Sequence, residues 1–309
     1  MSARQTLVNT NLNVFPLCLG GNVFGWSADE KESFAVLDAF FEAGGNFIDT
    51  ADVYSEWKPG NKGGESETII GNWMKARGNR HQMVIATKVS KLSTRPGLSA
   101  SNIHSALDDS LRRLQSDHID LYYSHADDET VPLEETLGAY GEVIKSGKVH
   151  VIGASNYSGA RLLQAAKVSE ENNFPHYVAI QNHYNLLERK EFESDVAPVA
   201  KSLGISSLPY YGLASGFLTG KYRQGKSIES ARSGSVSNYQ NDHGYSVVAK
   251  LDEISKELGT TVSAVALAWL RGHNSVPIAS ARTVEQLKEI LPIVALSASQ
   301  IKELDLVSA

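Results

Sequence analysis

Eight short apolar runs, each followed by a longer amphipathic stretch, organise this chain and leave few folds open to it. The runs cover 14–20, 46–51, 83–88, 119–125, 149–155, 177–183, 204–210 and 275–280, rich in Val, Ile and aromatic residues. Most are too apolar to keep a solvated face, which is how parallel strands covered on both sides read. Helices are expected between them at 31–43, 65–77, 99–114, 133–145, 159–171 and 261–270. In 99–114, Ser99 stands where an N-cap belongs, and Ile103, Leu107, Leu111 and Leu114 recur at helical spacing. Eight βα units in 309 residues predict an α/β fold, a (β/α)8 TIM barrel forming one domain over 1–309. A doubly wound open sheet could use many of the same units. The strand ends decide for the barrel: Asp49, Lys88, His125, Ser155, Gln181 and Tyr210 fall about one unit apart and so share one rim. The polar segment 5–14, with Asn9, Thr10, Asn11 and Asn13, is expected to form a hairpin closing the barrel floor.

Charge and cysteine usage narrow the function classes. With 29 Lys plus Arg against 35 Asp plus Glu, the chain carries a net charge of -6, which argues against nucleic acid or an anionic membrane as partner. The single cysteine, Cys18, excludes an internal disulfide and a Cys-rich zinc site. The nine histidines are scattered and no His-Glu-x-x-His helix occurs, so no metal is expected. No apolar run approaches the ~20 residues of a membrane span, and the first eight residues lack the apolar core of a signal peptide. A cytoplasmic protein is the expectation.

Residues 221–245 are polar, rich in Gly and Ser, and without apolar period, and are expected to form a long lid-like loop reaching the rim. Residues 220–227 (GKYRQGKS) match the phosphate-loop pattern formally, yet no strand leads straight in and no helix leads out, so the match is a coincidence. No G-x-G-x-x-G fingerprint occurs, which rules out a nucleotide held in the Rossmann manner.

The rim carries the chemistry. Asp49 and Tyr54 follow the second run in NFIDTADVY, Lys88 ends MVIATK, and His125 ends IDLYYSH. Taken singly, each has an ordinary structural reading: a helix cap, a packed aromatic, a solvated strand end, a satisfied rim histidine. Together, three adjacent strands would aim a carboxylate, a phenol, an ammonium and an imidazole at one point, a set suited to proton transfer.

These residues resemble the aldo-keto reductases, barrel enzymes that reduce aldehydes and ketones with NAD(P)H. The likeness runs through NFIDTADVY at 46–54, Thr87-Lys88, DSLRRLQSDHIDLYYSH at 109–125, GKVHVIGASNYS at 147–158, Gln181-Asn182, LASGFLTGKY at 213–222 and SARTVEQL at 280–287. It implies Tyr54 as proton donor, Lys88 and Asp49 as its electrostatic partners, and His125 as the group that orients the carbonyl. It further implies a nicotinamide held by Ser155, Asn156 and Gln181 and stacked on Tyr210. The pyrophosphate would be wrapped by Leu213, Gly216, Leu218, Lys221 and Arg223, with Gly21, Asn22 and Val23 at the turn after the first strand. Ser280, Arg282, Gln286 and Glu289 match the adenosine end, where the Arg282 fork suits a 2′-phosphate, so NADPH is expected over NADH. Ile290 stands where the family commonly has asparagine, so one adenine-side contact is missing. The HADDETVP stretch after His125 also lacks a proline-containing turn often found there. Trp26 and Trp57 would wall an apolar pocket for a small aldehyde or ketone. Two other functions stay open: a Schiff-base aldolase using Lys88, and a non-enzymatic nicotinamide-binding subunit like the channel β-subunits of this family. Neither the oligomeric state nor the physiological carbonyl can be read from these residues.

Overall fold

The computed structural model describes residues 4–224 and 233–309. The polar start folds as anticipated: β1 (Gln5–Thr6) pairs antiparallel with β2 (Asn13–Val14). Eight parallel strands follow: β3 (Cys18–Gly20), β4 (Phe47–Asp49), β5 (Val84–Val89), β6 (Ile119–Ser124), β7 (Val149–Ser155), β8 (Tyr177–Gln181), β9 (Ser206–Ser207) and β10 (Ile278–Ala279). They lie in the order β10-β3-β4-β5-β6-β7-β8-β9. The ends of that order meet, because Val276 N–H donates to Ser207 O at 2.8 Å and Ile278 N–H to Pro209 O at 3.0 Å. The sheet thus curls round as a (β/α)8 barrel. Three expected strands are shorter than their apolar runs. Pro16, Pro209 and Pro277 each lack the N–H that a ladder needs, and Val14 belongs to the hairpin rather than to β3.

Helices alternate with the strands at Glu30–Glu42, Glu65–Arg77, Ala100–Leu114, Leu133–Lys145 and Gly159–Asn172. Ser99 caps its helix by accepting from Asn102 N–H at 3.3 Å, and Ile103, Leu107 and Leu114 are buried against the sheet. The expected long loop is shorter than 221–245. Helical turns occupy Ser233–Val236 and Ser237–Tyr239, and a helix runs from Asp242 to Leu258 with Asn241 accepting from Gly244 N–H at 2.9 Å. Residues 225–232, the middle of that stretch and part of the phosphate-loop match, lie outside the described residues.

Period-two alternation divides the apolar residues into two cores. The larger packs the outer sheet face against the helices. The smaller fills the lumen with Cys18, Phe47, Val84, Ala86, Leu121, Tyr123, Ala179, Leu208, Val276 and Ile278, and Leu7, Leu12 and Val14 of the hairpin complete it from below. Polar ties hold that floor: Phe15 N–H donates to Asn46 Oδ1 at 2.8 Å, and Val8 N–H to Ser206 Oγ at 2.8 Å. Gly153 is required at its position, since a Cβ there would come within 2.4 Å of the Tyr123 ring.

Candidate active site

Inward-facing positions on one strand share a parity, so the residues above the lumen plug are fixed by the residues in it. Phe47 puts Asp49 inward, Val84 and Ala86 put Lys88 inward, Leu121 and Tyr123 put His125 inward, and Ala179 does the same for Gln181. The carboxyl ends of these strands open into a cleft of about 920 Å³ lined by Asp49, Tyr54, His125, Ser155 and Gln181 among others.

At its base Lys88 is fully buried and its ammonium makes three hydrogen bonds. Nζ donates to Asp49 Oδ2 at 2.6 Å, to Thr50 O at 2.7 Å and to Tyr54 Oη at 2.9 Å. That uses all three of its protons, leaving no lone pair for attack on a carbonyl. Asp49 is fixed from its other side by Gln181 Nε2, 2.9 Å from Oδ1. The Tyr54 hydroxyl accepts from Lys88 and donates to Asp49 Oδ2 at 3.1 Å. Tyr54 is set by a turn in which Ser55 adopts a φ of 74°, and the Ser55 hydroxyl anchors that turn by donating to Phe24 O at 2.7 Å.

Burial, and after it the Asp49 carboxylate, pushes the Tyr54 phenol well above the ordinary tyrosine range. The phenol therefore holds its proton in the resting protein. Burial pushes the Lys88 ammonium down, with Asp49 opposing. His125, 9% exposed, has its ring 6.0 Å from that of Tyr54 at 73°. Burial, followed by repulsion from Lys88 and Lys91, pushes its pKa well below the usual imidazole value, so the ring is neutral near pH 7 and can donate one hydrogen bond without bringing charge.

A second group of polar residues continues along the cleft. Ser155 Oγ donates to Gln181 O at 2.7 Å; Asn156 Nδ2 donates to His125 O at 2.9 Å and to Ser155 Oγ at 3.0 Å. Tyr210 Oη donates to Asn156 Oδ1 at 2.8 Å, and the Tyr210 ring stacks on His183 at 5.5 Å. Left-handed backbone recurs at Asn156, Tyr211, Ala214, Ser215 and Gly216, an unusual concentration of strained turns beside one cavity.

Farther on, Asn22 Oδ1 accepts from Ser280 Oγ at 2.6 Å, and Val23, Leu213, Gly216, Lys221, Ser280, Arg282, Gln286, Glu289 and Ile290 line the same cleft. Four residues of the sequence-based set do not line it: Lys88, buried beneath Asp49 and Tyr54, and three others. Gly21 donates its N–H to Asp49 O at 2.7 Å and leaves no room for a Cβ, Leu218 is buried in the outer core, and Arg223 pairs with Asp252 at 2.7 Å. Trp26 and Trp57 do line the cleft, edge to face at 5.7 Å, with Trp57 a further 6.1 Å from the Tyr54 ring.

Sequence reasoning missed Lys91, Tyr211 and Gly212, which also line the cleft. Lys91 sits past the end of β5, where no strand alternation could assign it an orientation. It also missed a buried acid beside the site. Asp52 has no ion pair or side-chain hydrogen bond among the described residues, and burial, followed by the Glu67 charge, pushes its carboxyl from 3.8 to about 7 despite Arg113 and Arg95. Between those two values the folded chain binds the proton and the unfolded chain does not, so stability falls as pH rises through this window. Asp52→Asn is expected to remove that fall. Its advantage in Tm over wild type should be larger at pH 8 than at pH 5, and an equal difference at both would refute the protonated assignment.

No helix among the described residues is long and apolar enough to cross a membrane. Residues 16–309 match the Aldo/keto reductase family. Among curated relatives, the uncharacterized oxidoreductase YrpG of Bacillus subtilis is 37% identical over 94% of this chain and 90% of its own length. An aryl-alcohol dehydrogenase [NADP(+)] of Phanerodontia chrysosporium is 31% identical over 92% of this chain and 79% of its own. A probable voltage-gated potassium channel subunit beta of rice is 34% identical over 88% and 84%.

Proposed function

The chain belongs to the aldo/keto reductase family, and from that premise we propose that it reduces an aldehyde or ketone to the alcohol with NADPH, Tyr54 supplying the proton. One observation carries this reading: a phenol that holds its proton, hydrogen-bonded to a fully paired ammonium, stands in a cleft of about 920 Å³. The bound cofactor would supply hydride to the carbonyl carbon.

The residues present fit such a group. Ser155, Asn156 and Gln181 form a connected polar set suited to a carboxamide, and Tyr210 offers an aromatic face. Leu213, Gly216 and Lys221, with Asn22 and Val23, line the cleft and would contact the pyrophosphate. Ser280, Arg282, Gln286 and Glu289 line the same cleft and would take the adenosine end. The Arg282 guanidinium has no ion pair among the described residues, while its backbone N–H is tied to Gln286 Oε1 at 3.0 Å. That leaves a permanently charged planar fork available for a 2′-phosphate. Arg282→Ala should raise KM for NADPH roughly 10- to 100-fold while moving KM for NADH little. Equal effects on both cofactors would refute a 2′-phosphate contact.

At the reacting end, negative charge develops on the carbonyl oxygen, and the Tyr54 hydroxyl can turn from Asp49 to that oxygen and deliver its proton. Phenolate left behind would face the Lys88 ammonium at hydrogen-bond distance, so the charge that forms late is the charge the site is built to receive. Asp49 keeps Lys88 charged and aimed. A neutral His125 can donate a hydrogen bond to the same oxygen and fix the carbonyl plane. Trp26 and Trp57 would form the apolar wall on the substrate side. The rival aldolase reading loses ground because Lys88 has no free electron pair. The rice relative favours one second reading, a nicotinamide-binding subunit with little turnover. A panel of aliphatic and aromatic carbonyls with NADPH and NADH, followed by cofactor oxidation, separates them: tight NADPH binding without turnover on any carbonyl would favour the subunit.

A further inference from the structure

At the barrel end opposite the cleft, two imidazoles and a carboxylate converge across neighbouring strands. His118 immediately precedes β6, Asp120 is its second residue, and His150 is the second residue of β7; the two strands pair with Ile119 opposite Val149. His118 Nε2 lies 3.8 Å and His150 Nδ1 3.4 Å from Asp120 Oδ1, and the three ligand atoms all lie within 4.8 Å of one another. The edge of a tetrahedron with metal–ligand bonds of ~2.0–2.1 Å is about 3.3 Å, so two of the three separations are already near those of a shared ion. The third, between the two rings, lies within 4.8 Å; the rings stack at 4.5 Å and 25°, so sharing an ion requires the half-exposed His150 ring to turn out of that stack.

The surroundings single out those three atoms. His118 Nδ1 lies 2.6 Å from Asp117 Oδ1, which fixes the proton on Nδ1 and turns the Nε2 lone pair toward Asp120. This is the carboxylate–histidine arrangement that orients and strengthens imidazole ligands of metals. The other Asp120 oxygen, Oδ2, is taken by the Arg80 guanidinium and the Ile85 N–H, both at 2.8 Å, which leaves Oδ1 facing the rings. The Arg80 cation already serves the oxygen that the site does not need. The Asp120 side chain is 9% exposed, His118 25% and His150 48%, so an ion can reach the site from solvent and be held against a fixed carboxylate.

We infer that His118, Asp120 and His150 form a binding site for a divalent transition-metal ion of the zinc or nickel class, clamping β6 to β7 at the barrel floor. Two nitrogen ligands and one oxygen favour such ions over magnesium or calcium, which take oxygen sets. A fourth position would be left to water. The site stands apart from the hydride chemistry and does not depend on the functional reading above. The sequence concealed it because its halves are one βα unit apart and no local spacing joins them.

The test uses the full chain, stripped with chelator and titrated with Zn²⁺ alone in a calorimeter and in thermal melts. Expected are one equivalent bound per chain and a Tm rise of roughly 5 °C at a hundred times Kd, with no rise from Mg²⁺. His150→Ala, at an exposed position, should remove that equivalent and leave carbonyl reduction unchanged. Asp117→Asn should weaken it roughly 10- to 100-fold through the lost orientation of His118. Zn²⁺ uptake that is absent, or that is the same in wild type and His150→Ala, would overturn the site.

Discussion

Tyr54→Phe is expected to lower kcat for carbonyl reduction by roughly 10²–10⁴-fold, the range spanned by a lost general acid. The substitution removes one oxygen. Its partners, Lys88 Nζ at 2.9 Å and Asp49 Oδ2 at 3.1 Å, keep each other at 2.6 Å, so the local charge pair survives. Because the hydroxyl belongs to the reacting end and not to the Ser280–Glu289 end, NADPH affinity measured by fluorescence titration should stay at the wild-type value. Loss of kcat with cofactor binding intact is the signature of an interaction made in the transition state. Near-normal turnover would remove Tyr54 from the mechanism, and loss of NADPH binding with turnover would point to a collapsed cleft.

Lys88→Met should have the second large effect, on both activity and stability. Lys88 and Asp49 are both buried, and removing one member of such a pair typically costs ~3–5 kcal/mol because its partner is left uncompensated. For a chain of this size that predicts a Tm lower by roughly 10 °C. Turnover should fall as well, since the phenolate formed from Tyr54 would no longer meet a cation. The double variant Asp49→Asn, Lys88→Met separates the two effects: it should recover part of the stability while remaining inactive. A double variant as unstable as the single one would mean that Lys88 matters for its packing in the lumen and not for its charge.

Legibility differed between strands and loops for a physical reason. Asp49, Lys88, His125, Ser155 and Gln181 could be placed in one group from the sequence because each continues a strand whose alternation is dictated by burial. The same logic overran the strands at Pro16, Pro209 and Pro277, where the apolar pattern continues but the donor for the ladder is missing. The helix Asp242–Leu258 was hidden because its first turn is polar and its apolar residues, Val247, Val248, Leu251 and Ile254, come later. Lys91 and Tyr211 reach the cleft from turns whose direction depends on tertiary contacts, and His118 and His150 meet only through strand pairing. Gly21, Leu218 and Arg223 lie outside the cleft lining, held by close packing, the outer core and the Asp252 ion pair, contacts that no sequence spacing displays.

The shared parity of lumen plug and rim bears on how such an enzyme can change over evolutionary time. Inserting or deleting a single residue within β5 would send Lys88 to the helix-facing side and put a neighbour in its place against Asp49 and Tyr54, and is expected to abolish turnover. Length changes are therefore affordable only beyond the strand tips, in segments such as those carrying Trp26, Trp57 and Tyr211. Descendants of this sequence are free to explore new carbonyls while inheriting an unaltered reaction.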